Sequence, residues 1–347
     1  MMSINVRPWV LIVSALMGIS AGQAAEPKAA DGDPPSEQAQ SVFLRHTLDR
    51  HFVPLAARFS QTAPRLIARI ESLCASPNAV TLEQARSAWI ETMLAWEAVD
   101  AVEVGPLLDR RSTFRIDFWP TRPREVESIV RDPPKEIELL DRVNAPAKGL
   151  PAIELLLWSP AEAPMATGSR KTCDYAHLLA RGVHREAENL EQGFRELTDR
   201  AGGANTRKAF SALINQTFGA VELLRGKYML KPARLNNGRH FPRVLSGQTA
   251  RAWSARWCAI HELLAGKPDD RSASLVEFLR GQGQTQAAAD LSSAIKRAAE
   301  AMQDAAEATP ATAENASAVL AEVETALAND VAAALKVTIG FHAYDGD

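Results

Sequence analysis

Long apolar runs, cysteines and paired histidines are all scarce in this chain, and each shortage removes a class of function. One apolar run stands out, Trp9 to Met17, and it is shorter than the about 20 residues that span a bilayer. Arg7 precedes it, and Gly22-Gln23-Ala24 follows with the small-x-small pattern that signal peptidase reads. Residues 1–24 are therefore expected to be a signal peptide cleaved after Ala24, and 25–37 a disordered linker. No Cys lies near that point to carry a lipid. The expected product is an exported, soluble, periplasmic protein with no membrane span after cleavage.

Charge of one sign is also missing. Lys and Arg number 39 against 42 Asp and Glu, a net charge of −3, and the isoelectric point is about 6.2. Loss of Arg7 with the signal would move the charge to −4. A nucleic-acid or anionic-membrane surface would need a basic stripe, so no nucleic acid is expected as a partner. Of the three cysteines, Cys74 sits at a helix end, Cys173 just before a helix, and Cys258 inside a helical pattern beside Trp257, where it looks buried. An odd number in an oxidising compartment leaves one thiol over or none paired. The expected pair is Cys74 with Cys173; three buried thiols are the alternative.

No stretch alternates over six residues as a half-buried strand would. Helical periodicity dominates instead. Tyr175, Leu179, Val183, Ala187, Leu190, Phe194 and Leu197 recur every three or four residues, as an apolar helical stripe should. Phe210 to Tyr228, Trp89 to Val102 and Val319 to Leu335 repeat the pattern. The fold class is all-α. Nine of the 20 prolines fall between Gly105 and Pro164, which predicts ordered loop with short helices there. A break at Thr198 to Lys208 places a boundary between two helical bundles, 38–200 and 201–347. Gly149-Leu150-Pro151-Ala152-Ile153-Glu154 and Gly340-Phe341-His342-Ala343-Tyr344-Asp345 share one pattern near the end of each half, which suggests a duplicated unit.

Catalytic signatures are incomplete. His261-Glu262-Leu263-Leu264-Ala265 opens like a zincin helix and lacks the second His. His46 and His51 are five apart, which sets them about 140° apart around a helix. His177 and His184, with Glu186 and Glu188, read as a solvated face. No Gly-x-Ser-x-Gly elbow occurs. The loop Asp109 to Arg124 is richer: Arg110, Arg111, Arg115, Arg122 and Arg124 surround Asp117 and Trp119. Guanidinium forks suit carboxylate or phosphate groups, so the loop reads either as an anion or metal-chelate site or as a loop pinned by Arg115 and Asp117, with Trp119-Pro120 packing the bundle end.

Taken in order, Trp89 and Trp96, Gly105-Pro106-Leu107, Arg115-Ile116-Asp117-Phe118-Trp119-Pro120, Gly149 to Trp158, Cys173-Asp174-Tyr175, Lys227, Pro232 and the terminal Gly340-Phe341…Asp345-Gly346-Asp347 make the chain resemble the imelysin family of bacterial envelope proteins. The resemblance implies two helical bundles from a duplicated unit with a cleft between them, an association with iron uptake, and a founding member described as a peptidase. The family's signature is Gly-x-His-x-x-Glu, thought to hold a metal. Here Pro151 stands where that His would be, while Glu154 matches the acid. His342 and Asp345 follow the same spacing in the second half, and with Glu154 they are the candidate ligands for an iron or zinc ion.

The expected function is a non-enzymatic binding or accessory component of iron or metal acquisition. Its ligand, a metal or metal chelate, would sit near Arg115, Asp117, Trp119, Gly149, Glu154, Gly340 and Asp347, and an envelope iron-transport component would be its partner. The rival reading is an imelysin-type metallopeptidase using the same cleft.

Overall fold

A computed structural model describes residues 33–159, 165, 169–203, 205–235 and 240–340. The signal peptide and most of the expected linker lie outside these residues, as do His342, Asp345 and Asp347. Among the described residues there is no strand, and the all-α expectation holds.

The first half is built on three long helices: α2 (Val53–Ala75), α3 (Ala79–Val99) and α8 (Arg170–Arg200). Before them stands α1 (Glu37–Thr47), capped by the Ser36 hydroxyl and joined to α2 through a π-helical turn, Leu48–Phe52. The α2–α3 corner is tight because Asn78 and Thr81 form a capping box, each side chain bonded to the other's backbone N–H. Phe59, Leu66, Ile70 and Leu73 of α2 are buried, with Trp89, Met93 and Trp96 of α3 and Tyr175, Leu179, Val183, Leu190 and Phe194 of α8. α2 packs on both α3 and α8.

The proline-rich segment folds as expected into short helices: α4 (Pro106–Arg110), α5 (Ser112–Ile116) and α6 (Pro123–Arg131), then two 3-10 turns and α7 (Gly149–Trp158). α7 lies against α3 and α8.

The second half begins with α9 (Thr206–Leu223), continued through a π-helical turn (Leu224–Leu230) into α10 (Lys231–Arg234). Then come α11 (Thr249–Ala265), α12 (Leu275–Gly281), α13 (Thr285–Asp304), α14 (Pro310–Thr325) and α15 (Ala332–Leu335). α14 starts on a Thr309–Thr312 capping box with Pro310 at its first position, where a missing N–H costs nothing. Each half thus opens on a helix that continues through a π-helical turn. α3 packs on α11, and α1 packs on α9.

Cys74 and Cys173 are joined, with Cα atoms 5.7 Å apart. Two details differ from expectation. Cys173 lies in the first turn of α8 rather than before it, and Cys258 is exposed. Trp257 takes the buried position on α11, and its neighbour, about 100° around the helix, turns outward.

Candidate functional site

Two charged residues interrupt apolar helical stripes. On α3, Trp89, Met93 and Glu97 follow one another at intervals of four; on α11, Trp253, Arg256 and Ile260 do so at three and four. All six are buried, so the helical period carries a carboxylate and a guanidinium into the core where α3 meets α11. Arg256 Nη2 donates to Glu97 Oε2 at 2.8 Å and to Asp100 Oδ2 at 2.7 Å, and its Nη1 donates to the Asp100 carbonyl at 3.1 Å. The Tyr228 ring lies 4.4 Å from its guanidinium carbon.

A second arginine enters from the loop before α11. Arg243 has a left-handed backbone (φ 65°) and donates to Glu97 Oε1 at 3.1 Å and to Asp117 Oδ2 at 2.5 Å. Its loop is stitched to itself: Thr249 Oγ1 donates to the Pro242 carbonyl at 2.7 Å, and the Gln248 N–H to the Arg243 carbonyl at 3.0 Å. The same loop reaches α7, where the Ser246 N–H and hydroxyl donate to Glu154 Oε1 at 2.9 and 2.6 Å. Trp96 Nε1 completes the ring of donors, 2.9 Å from Asp117 Oδ2.

Four buried carboxylates, Glu97, Asp100, Asp117 and Glu154, thus surround two buried guanidiniums, Arg243 and Arg256. Fully ionised, the cluster would hold more negative than positive charge in a medium that solvates neither. The proton is the remedy. Burial pushes the Asp100 carboxyl up to about 8 despite Arg256. It also raises Asp117 against the pull of Arg243, and Glu154 against Arg243 and Ser246. Among the described residues, two atoms of the cluster have no hydrogen-bond partner, Asp117 Oδ1 and Arg243 Nη1.

The expected residues distribute unevenly over this geometry. Asp117 and Glu154 belong to the cluster. Gly149 positions it: its φ is +74°, and a Cβ there would lie 2.2 Å from the Ile116 carbonyl oxygen, so only glycine lets α7 start against the residue that precedes Asp117. Arg115 is not part of it. Its guanidinium is exposed, 2.6 Å from Asp141. Trp119 is half-buried two residues beyond Asp117. Gly340 is exposed, and its N–H donates to Asn215 Oδ1 at 2.8 Å. Glu186, expected on a solvated face, is buried because Arg110 grips both its oxygens at 2.9 and 2.8 Å and Ser112 donates at 2.7 Å.

Glu97, Asp100, Arg243, Ser246 and Arg256 escape a motif search. The signal for two of them is plain in retrospect: a charge standing on the apolar stripe of α3 and another on that of α11. For Arg243 and Ser246 the sequence offers nothing periodic, because both act from an irregular loop.

The family model for imelysin matches residues 52–339. The chain belongs to the imelysin family. Among solved structures, an imelysin-like protein from Psychrobacter arcticum 273-4 superposes with a TM-score of 0.74 at 18% identity, covering 88% of this chain and 98% of that one. A protein from Parabacteroides distasonis described as an iron-regulated protein A precursor gives 0.73 at 14% identity, covering 90% and 98%. At these identities the likeness establishes the fold. Iron-regulated protein A of Synechococcus elongatus is 24% identical over 168 residues, which is 47% of this chain and 44% of that protein. The match spans less than half of that relative's length.

Measured against the imelysin signature, this member carries Pro151 one turn before Glu154, buried in the first turn of α7. Proline fits a first turn and brings no lone pair. Among the described residues, no three His, Cys, Asp or Glu side chains converge as a metal site. In the cluster, Glu97, Asp100 and Asp117 accept from guanidiniums and Glu154 from Ser246. These residues by themselves do not fit a bound metal ion.

Proposed function

We propose that this imelysin-family protein is an exported, non-enzymatic binding or accessory component of iron or metal acquisition, with its ligand received at the charge cluster where α3, α7, α11 and the Arg243 loop converge. The observation that carries this reading is the surplus of buried carboxylate around Arg243 and Arg256. Such a surplus is costly in a core, and a site for a cationic or metal-bearing ligand gives it a use. Two of its relatives, described as iron-regulated protein A and its precursor, support the association with iron. A metal ion would need donors that the described residues do not supply. His342 and Asp345 are the candidates to join Glu154, and Asn215 of α9 anchors the start of their segment by bonding Gly340 and the Thr338 carbonyl.

The peptidase reading finds less support. Glu154 would be its general base, yet Oε1 of that side chain already receives two hydrogen bonds from Ser246, and Pro151 replaces the signature histidine.

The test is metal analysis of protein recovered from the periplasm, beside calorimetric titration with iron(III), zinc and haem. Binding of one of them near one per chain is expected. Glu154→Gln and His342→Ala should each weaken it with little change in melting temperature. Absence of binding to all three would refute the proposal, and chelator-sensitive casein cleavage abolished by Glu154→Gln would replace it with the peptidase.

A further inference from the structure

Away from the charge cluster, α1, the π-helical turn after it, the start of α4 and the α8–α9 corner enclose a cavity of about 330 Å³. Leu44, Leu48, Phe52, Leu197 and Leu213 form its apolar wall, and Ala209 and Ala212 keep it open. Backbone sterics shape it as well: Gly105 lines it at φ +49°, and a Cβ there would meet Leu197 Cδ2 at 2.5 Å. The volume lies in the range of small-molecule sites, about 300–1,000 Å³. It is about twice that of an engineered apolar cavity, ~150 Å³, that takes up benzene.

Charge at the opening says what it would take. Arg200 lines the cavity while its side chain is 72% exposed, and Arg45 donates to the carbonyl of Ala201, another lining residue, at 2.8 Å. Glu196 lies 3.3 Å from Arg200, and it also accepts from Gln192. Among the described residues Arg45 is partnered by a backbone carbonyl and by no carboxylate, so two guanidiniums stand against one carboxylate. An apolar chamber with a cationic mouth is complementary to an anionic amphiphile.

We propose that this cavity is a second ligand site, for an aliphatic carboxylate of medium length: the chain lies against Leu48, Phe52 and Leu213, and the carboxylate meets Arg45 and Arg200. The site does not depend on the function proposed for the charge cluster.

The probe is decanoate, titrated calorimetrically into the mature chain below its micellar range, with decyltrimethylammonium as the control of opposite charge. One saturable decanoate per chain is expected, bound about tenfold or more tightly than the cation. Ala212→Phe should fill the chamber and remove decanoate binding while the far-UV spectrum stays helical. Should that variant fail to fold, the exposed pair Arg45→Gln/Arg200→Gln supplies the answer by abolishing the preference for decanoate over the cation. Glu154→Gln should leave decanoate binding unchanged. Absence of saturable decanoate binding, equal affinity for the two amphiphiles, or binding that survives both sets of substitutions would each overturn the proposal.

Discussion

Arg243 and Asp117 stand 126 residues apart in sequence and 2.5 Å apart in the fold. Their contact fixes an irregular loop of the second half against the residue that ends α5 in the first. Because Arg243 also donates to Glu97 on α3, one guanidinium ties three chain segments at a point from which water is excluded.

Removing that guanidinium should therefore cost far more than a surface ion pair does. Arg243→Met leaves Glu97 and Asp117 buried with less compensation, and breaking one partner of a buried pair costs about 3–5 kcal/mol. Adding Asp117→Asn removes one of the orphaned charges and should recover part of the loss. Urea unfolding of the single and double variants measures both. A single-variant loss below about 1 kcal/mol, the range of exposed pairs, would show that the cluster is not held by this contact.

Stability should respond to pH in two opposing windows. His51 is wholly buried and held down to about 3 by burial and by Lys267, against about 6.5 unfolded. The unfolded chain therefore binds the extra proton, and the stability His51 permits is complete above 6.5 and lost as pH falls toward 3. Asp100 runs the other way. Raised to about 8 by burial from about 3.9 unfolded, it keeps its proton in the fold, so its contribution is lost as pH rises from about 4 through 8. Thermal melts across pH 4–9 should show both limbs. His51→Phe should flatten the acid limb, and Asp100→Asn the other; unchanged limbs in both variants would refute the assignments.

Thiol chemistry gives a third check. With Cys74 and Cys173 joined and Cys258 exposed, native protein without reductant should take up one maleimide per chain, without prior denaturation. Three labelled thiols would contradict the disulfide, and none would contradict the exposure of Cys258. Closing a loop of about 100 residues contributes about 4–5 kcal/mol on the chain-entropy model. The double Cys→Ser variant should fall by a few kcal/mol accordingly.

Much of the fold is legible in the sequence because a helix writes its buried face at a period of 3.6 residues. Tyr175, Leu179, Val183, Ala187, Leu190 and Phe194 are all buried as that stripe requires. The short helices between Gly105 and Gly149 follow from a density of prolines that repeatedly breaks the helical hydrogen-bond ladder, whereas a single one, Pro64, is carried inside α2. Of the site, Asp117 and Glu154 are legible through the imelysin resemblance, and Gly149 with them. Arg115 lies outside the charge cluster: it stands next to Ile116, whose side chain turns inward, while Arg115 reaches outward to Asp141 and bonds the Arg110 carbonyl within its own loop. Arg243 is illegible because its role comes from a left-handed turn and a loop path. Neither has a period.

The seating of α7 depends on Gly149. Two features of Gly149 require glycine independently: a φ of +74° and the 2.2 Å that would separate a Cβ from the Ile116 carbonyl oxygen. A left-handed residue costs an alanine about 1–2 kcal/mol, and the clash with a backbone atom cannot be relieved by a rotamer change. Gly283 provides the comparison, since it has a similar φ, +75°, and nothing within 4 Å of its Cβ position. Gly283→Ala should show the conformational cost alone. Gly149→Ala should cost more, because α7 or residues 116–117 must move. Either movement disturbs Trp89, whose Nε1 donates to the Leu150 carbonyl at 2.9 Å, and Trp96, whose Nε1 donates to Asp117. The near-UV tryptophan circular dichroism should therefore change in Gly149→Ala and stay as it is in Gly283→Ala. Equal stability losses with unchanged tryptophan bands would mean that Gly149 serves its own backbone angle only, and that the charge cluster does not depend on how closely α7 approaches Ile116.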